Sequence, residues 1–511
     1  MSEIDETQGA DQGEYEHTRV PDKALKGGGK FWGMYAGEHA AGTEFMIGPL
    51  FLLSGVALKD IFLGLFVGNL FAVLCWRYLC APIAVKARYT LYFQLEKIAG
   101  SRLVKFYNLA NGVLFCFLAG AMITVSATAV GIPFNMEMPT IDALYPNSVA
   151  FVVIVLLVGA VIAVVAAKGY DSVAKFANVA SPWMVLVFLA CGFVALKQIG
   201  AADWDGLSSI WTNSIDFSQA LSAKPFEKSS IADLMELLRQ RPDLVPAALE
   251  AFKVPDLEAL AKVTSENFAG GSAKSSMGFW SVALFAWFCN SAMHIGMADL
   301  SVFRFAKKAN SGWATAGGMY VGHYMAWIAA AFMLAAQIKA TGDSNPVPGP
   351  MAANAAGLAG IICVIVAGWT TANPTIYRAG LAFQAMIPGS SRTVMTLVAG
   401  GLATIAGVFP AFAWKLLTFV GFYGTVLAPM GAIIVADWYF ARKARFQQFA
   451  AEKNGTRFNL AVLLAWLIPV LIATYYIKFA GVESWFCILP CWIASGILHI
   501  VFSRVFHKAT A

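Results

Sequence analysis

Between residues 31 and 504 the chain is a succession of apolar runs, most of them near or above the length that crosses the ~30 Å hydrocarbon core of a bilayer at about 1.5 Å per helical residue. They fall at 31–57, 59–84, 104–131, 148–167, 177–198, 277–298, 313–337, 352–372, 393–410, 412–436, 458–479 and 484–504. In lipid, every backbone N–H and C=O must find a partner within a helix or a closed barrel. These runs are continuous rather than alternating, so helices are predicted and a barrel is not. The expected fold class is an all-α membrane protein of about twelve transmembrane helices, numbered here 1 to 12. The chain is 59% hydrophobic and only 13% charged, against about a quarter charged in a soluble domain.

Basic residues test the count, because short cytoplasmic connections are enriched in Lys and Arg. With twelve spans and the N-terminus inside, Lys86, Arg88, Arg304, Lys307, Lys308, Arg442, Lys443 and Arg445 fall on the inner side. The short outer turns hold Lys59, Lys339, Lys415 and Lys478. A missed helix would scramble that alternation, so both ends are expected in the cytoplasm of a cell-membrane protein. The net charge of +6 follows from these connections and does not point to nucleic acid. The first 30 residues are polar and lack the apolar core of a signal peptide, and they read as a disordered cytoplasmic tail. The eight cysteines (75, 80, 116, 191, 289, 363, 487 and 491) all lie in apolar runs without CxxC spacing and read as small hydrophobes.

The organisation expected is a tail (1–30), a first repeat of helices 1–5 (31–198), an outer insertion (199–276), a second repeat of helices 6–10 (277–436), and helices 11–12 with the C-terminus (437–511). The insertion carries amphipathic patterns at Ile231–Leu238 and Leu257–Val263, punctuated by Pro242, Pro246 and Pro255. It reads as a small helical cap, either a plain insertion or a lid.

Ionisable residues inside membrane helices are costly and mark function. Helix 1 contains Gly37-Glu38-His39-Ala40-Ala41-Gly42-Thr43-Glu44 and then Gly48-Pro49. Small residues and proline there predict an interrupted helix, the device by which transporters offer carbonyls and helix ends to solutes. Glu38 and Arg77 lie at similar depth, which predicts an ion pair between helices 1 and 2 and leaves Glu44 and His39 for substrate or proton work. Helix 6 is also interrupted, by Asn290-Ser291 and His294. Two polar breaks five helices apart are the signature of two inverted five-helix repeats with a site between them. His294 reads evenly as site or packing residue; His323 and His499 read as packing. Thr370 and Thr371 near the carbonyls of a broken helix 1 suit a small hard cation, although helical threonines also bond back to their own helix. Aromatic residues recur at that level: Phe115, Phe117, Trp280, Trp287, Phe288 and Trp369. A phosphate-binding Walker loop, a metal-ligand spacing and a voltage-sensor ladder are not found, and the chain is not expected to be an enzyme.

Four ordered segments resemble the nucleobase:cation symporter family of cytosine, purine, allantoin and hydantoin permeases: Leu53–Asp60 with Val67–Leu70; Ala298-Asp299 with Phe303–Lys307; Trp369–Leu381; and Ala428–Gly431 with Ala436–Tyr439 and Arg442. The resemblance implies the five-plus-five inverted-repeat fold of the amino-acid/polyamine/organocation superfamily, with helices 11 and 12 peripheral. It implies a planar heterocycle held between aromatics of helices 3 and 6, which fall on Phe115 and Asn290, with Trp287 one turn from the latter. It also implies a sodium site formed by helix 1 carbonyls and by Ala367, Thr370 and Thr371. Glu38, His39 and Glu44 depart from the apolar and amide residues usual in the family's helix 1, which opens proton coupling or a cationic substrate.

The candidate substrate-binding residues are therefore His39, Thr43, Glu44, Phe115, Trp287, Asn290, His294 and Asn373. The candidate cation-binding residues are Glu38, Ala41, Ala367, Thr370 and Thr371. The expected activity is import of a small planar nitrogen heterocycle by Na⁺ or H⁺ symport, with no organic cofactor. The partners expected are the small-molecule substrate and the lipid bilayer. A same-fold carrier of an amine, amino acid or thiamine-like solute, and a membrane sensor that uses the outer cap, are the rival readings.

Overall fold

The computed structural model describes residues 15, 18–139, 143–222, 238–246, 249, 255–257, 277–387 and 389–507. Among them, nine helices are long and apolar enough to cross a membrane. These are helix 2 (Leu58–Ala87), helix 3 (Ser101–Val130), helix 4 (Val149–Ala167), helix 5 (Tyr170–Ile199), helix 7 (Ala309–Thr341), helix 8 (Pro348–Met386), helix 10 (Leu416–Ala444), helix 11 (Leu460–Phe479) and helix 12 (Ser484–Phe506). Three shorter apolar helices complete the set. Helix 1 is split into Gly29–His39 and Glu44–Leu53. Helix 6 runs from Phe279 to Phe288, then passes through turns to a short helix at Leu300–Phe303. Helix 9 is Arg392–Gly407. Every predicted span is thus occupied by helix, and the chain is a multi-pass membrane protein.

The two breaks have local causes. Ala40 leaves the helical region (φ −91°, ψ 61°), and Gly42 two residues on, with no side chain to restrict its backbone, does not resist the break. In helix 6 the turns end on Met297, a non-glycine residue at φ 67°, which costs on the order of 1 kcal/mol and persists only where surrounding packing enforces it. Each break releases backbone groups that lipid could not satisfy.

The inverted repeat is visible in the order of elements. Helices 1 and 6 are both broken, and helices 2 and 7 both contain a π-helical stretch, at Trp76–Cys80 and Gly317–Tyr324. Helix 3 follows a short helix, Leu91–Ala99, across Gly100 at φ 85°. Helix 8 likewise begins with a short helical stretch that kinks at Ala356 and Gly357, the latter at φ 55°. Helices 5 and 10 each carry a mid-helix proline, Pro182 and Pro429. Helices 3 and 8 cross at the centre, where Gly42 of the helix 1 break lies against Gly368: a Cβ on Gly42 would meet the Gly368 Cα at 3.0 Å. The outer faces of helices 4, 5, 11 and 12 expose side chains such as Leu157, Val179, Phe193, Leu471, Tyr475 and Phe479, as a lipid-facing surface requires.

One expectation is revised. Residues 18–28 are not a free tail. The Val20 side chain is fully buried, its N–H donates to the Arg88 carbonyl at 3.1 Å, and Asp22 pairs with Arg88 at 2.7 Å. Further on, the Lys26 N–H donates to the Phe305 carbonyl (2.6 Å) and the Lys307 N–H to the Lys26 carbonyl (3.0 Å). Backbone pairing of this kind leaves no mark in composition. In the 199–276 insertion, a helix at Trp204–Ser222 docks through Trp211, whose Nε1–H donates to the Val56 carbonyl at 2.9 Å. The Ile231–Leu238 and Leu257–Val263 patterns lie outside the described residues except for Leu238 and Leu257.

Candidate functional site

A cavity opens where the two breaks face each other. Helix 1 contributes Glu38, His39, Thr43, Glu44 and Ile47, and helix 6 contributes Cys289, Asn290 and Met293. Helix 7 adds His323 and Trp327, helix 8 adds Thr371 and Thr375, and helix 10 adds Phe419, Val420 and Tyr423. Leu118 is the helix 3 wall.

Glu44 heads the second half of helix 1, so its carboxylate sits at the positive end of that helix. One oxygen accepts the Thr43 hydroxyl at 3.0 Å and lies 3.7 Å from His323 Nε2. Its other oxygen, Oε2, is buried with no hydrogen-bond partner among the described residues. His39 Nδ1 lies 2.8 Å from the Tyr35 carbonyl. A carbonyl only accepts, so Nδ1 carries the proton and Nε2 is left with a lone pair; that atom too is buried and unpartnered. The His323 ring meets His39 edge-on at 4.8 Å and stacks on Trp327 at 4.3 Å. Its nitrogens approach Asn290 Nδ2 at 3.4 Å and Cys289 Sγ at 3.6 Å. Reading His323 as a packing residue is therefore corrected: it belongs to the cavity. The signal available in sequence was Gly317-Gly318 with Gly322, which let helix 7 approach helix 1; a Cβ on Gly322 would meet the His39 carbonyl at 2.4 Å.

The Glu38–Arg77 pair does not form. Arg77 instead donates to Asn310 Oδ1 at 2.5 Å and lies over the Tyr78 ring at 4.9 Å. Glu38 is gripped by both terminal nitrogens of Arg378 on helix 8, and the same guanidinium donates to Asp299 Oδ1 at 3.0 Å. Asp299 also accepts from the Tyr35 hydroxyl (2.7 Å) and the Trp76 indole (2.8 Å). Equal depth was a sound criterion, but depth does not set which face a residue occupies. Arg378 lies beyond residue 372, where helix 8 is predicted to end; the helix continues to Met386 with Thr375 and Arg378 buried.

Among the cation candidates, the Thr371 hydroxyl donates to the Glu38 carbonyl at 3.0 Å and lies 3.4 Å from the Ala367 carbonyl. Thr370 donates to the Ala367 carbonyl at 2.9 Å. Thr371, the Ala367 carbonyl and the frayed end of helix 1 thus converge. The Ala41 carbonyl accepts the Glu44 N–H at 3.1 Å inside the break. Among the described residues, no group of three or more His, Cys, Asp and Glu side chains could hold a metal ion.

Four of the substrate-binding candidates lie off the cavity wall. Phe115 packs edge-on behind Tyr423 at 5.6 Å. Trp287 turns to helix 2, its indole 3.4 Å from Cys75 Sγ and its ring 4.8 Å from Phe71. The Nε2 of His294 bonds the Trp287 carbonyl at 2.8 Å, and its ring meets Trp76. Asn373 is buried beyond Thr371, and its amide has no partner among the described residues. The aromatic walls come instead from helices 7 and 10, namely Trp327, Phe419 and Tyr423. Nothing in the apolar run of helix 10 distinguishes its inward face, so these two were not legible.

The architecture is one already known among solved membrane transporters, the five-plus-five inverted repeat with broken helices 1 and 6. It is similar to that of Mhp1, described as a nucleobase-cation-symport-1 family transporter in a closed conformation with bromovinylhydantoin bound: TM-score 0.63 and 14% identity, over 97% of this chain and 94% of that one. An inward-facing conformation of Mhp1 matches at TM-score 0.58 and 14% identity, over 94% of this chain and 90% of that one. A Na⁺-coupled sialic acid symporter, solved substrate-bound and outward-open, matches at TM-score 0.60 and 12% identity, over 98% of this chain and 93% of that one. At these identities the likeness establishes the fold and nothing finer. No family model and no curated protein matches the sequence.

Proposed function

We propose that the chain is a secondary active transporter that imports a small planar, nitrogen-rich solute by cation symport, working by alternating access with both termini in the cytoplasm. The observation that carries the reading is the convergence of two discontinuous helices on one cavity, to which both breaks contribute polar side chains. Such breaks are expensive in lipid and serve to offer helix ends and backbone carbonyls to a solute. Trp327, Phe419 and Tyr423 supply flat surfaces for a ring, while Thr43, Glu44, Asn290 and His39 supply its polar edge. For the coupling ion, the Ala367 carbonyl, the Thr371 and Thr370 hydroxyls and the carbonyls at the helix 1 break are hard oxygen donors of the kind Na⁺ takes. A proton on a cavity carboxylate is the alternative driver.

The test is uptake into proteoliposomes under separately imposed Na⁺ and H⁺ gradients, with unlabelled nucleobases as competitors. Accumulation driven by one gradient and inhibited by a planar heterocycle is the expected result. Failure of either gradient to drive uptake of any candidate solute sinks the transport reading.

A further inference from the structure

The cavity is unbalanced in charge. Among the described residues, four buried polar atoms on its lining have no hydrogen-bond partner: the acceptors Glu44 Oε2 and His39 Nε2, on side chains 1% and 2% exposed, and the donors Trp327 Nε1 and the Tyr423 hydroxyl. A buried acceptor without a donor is destabilising by about 1–3 kcal/mol, more if charged. The residues lining the cavity include no Lys or Arg. Arg378, which meets the cavity wall through Glu38, is already divided between Glu38 and Asp299, so that triad carries two carboxylates against one guanidinium. The positive end of the second half of helix 1 offsets only part of a Glu44 charge. Trp327 and Tyr423 line the same cavity, and aromatic rings attract cations to their faces.

We propose that the transported solute is itself a cation: a planar amidinium or protonated amino-heterocycle whose N–H edge is bound by Glu44 and His39 Nε2. The assignment rests on the transport reading above and narrows its substrate class. The ligand brings both the charge that Glu44 lacks and the donors that both atoms lack. A neutral ureide would meet only the second need, and a carboxylate neither.

The discriminating probes are three molecules of nearly one shape: benzamidine, a planar cation with an N–H edge; benzamide, its neutral counterpart; and benzoate, the anion. Thermal unfolding of the purified full-length protein in detergent is followed against concentration of each. Benzamidine should stabilise with an apparent affinity at least tenfold tighter than benzamide, and benzoate should not stabilise. Glu44→Gln, nearly the same size, should erase the margin between benzamidine and benzamide; His39→Gln should reduce it in part. Benzamide equal to or tighter than benzamidine overturns the proposal, as does a margin unchanged in Glu44→Gln or stabilisation by none of the three. Gradient-driven uptake of a neutral heterocycle alongside any of those results leaves transport standing and removes only the charge assignment. Absence of gradient-driven uptake removes the transport reading itself.

Discussion

Arg378 is the one guanidinium holding two fully buried carboxylates, and its removal should be among the most damaging single changes in the chain. Glu38 is 4% exposed and Asp299 0%. Arg378→Met fits the same helix and fills similar volume, but strands two acidic groups that had shared one cation. Breaking a buried pair by deleting one partner costs about 3–5 kcal/mol. Asp299 keeps its bonds from Tyr35 and Trp76, so most of the loss falls on Glu38, and the lower part of that range is expected. Unfolding entropy of about 2 cal/mol/K per residue gives roughly 1 kcal/mol per degree for 511 residues. The melting temperature in detergent should therefore fall on the order of 3–4 °C. Arg378→Lys should fall less, because an ammonium keeps the charge but cannot present the two-pronged fork. Neutralising the carboxylates as well, in Arg378→Met/Glu38→Gln/Asp299→Asn, should recover most of the loss. A single variant that melts with the wild type, or a triple variant that recovers nothing, would refute the account of the triad as one electrostatic unit.

Other outcomes follow from single contacts. Thr371→Ala removes the hydroxyl bound to the Glu38 carbonyl; if this is the sodium site, half-maximal uptake should need about tenfold more Na⁺, and an unchanged requirement removes the site. Gly431→Ala would put a Cβ 1.7 Å from the Ile295 carbonyl at the helix 6 break, so helix 10 must be pushed away; expression and melting temperature should both drop, and a wild-type melting curve contradicts the packing. For orientation, a membrane-impermeant maleimide applied to intact cells should label Lys478→Cys and spare Lys443→Cys, both exposed positions at opposite ends of the bundle; the reverse pattern inverts the topology proposed here. Trp211→Phe keeps the ring but loses the indole donor to the Val56 carbonyl, which should loosen the outer helix at Trp204–Ser222 and speed proteolysis there without changing the melting temperature by more than about 1 °C.

Sequence alone determined the solvent, the number of helices and the places where two of them break. These are local properties: an apolar run long enough for the bilayer reads the same wherever it packs, and Gly42-Thr43 beside Glu44 weakens a helix wherever it lies. Glu38, His39, Glu44 and Asn290, which line one cavity, were legible as a group for the same reason, since each sits in or beside a polar interruption. Only the tertiary structure decided the partners. Arg378 rather than Arg77 holds Glu38, His323 enters the cavity, Tyr423 screens Phe115 from it, and Trp287 turns away. The physical reason is that a membrane helix is apolar on nearly every face, so its sequence encodes depth well and rotation poorly. Rotation is settled where backbones touch, at contacts such as Gly42 on Gly368 and Gly322 on His39.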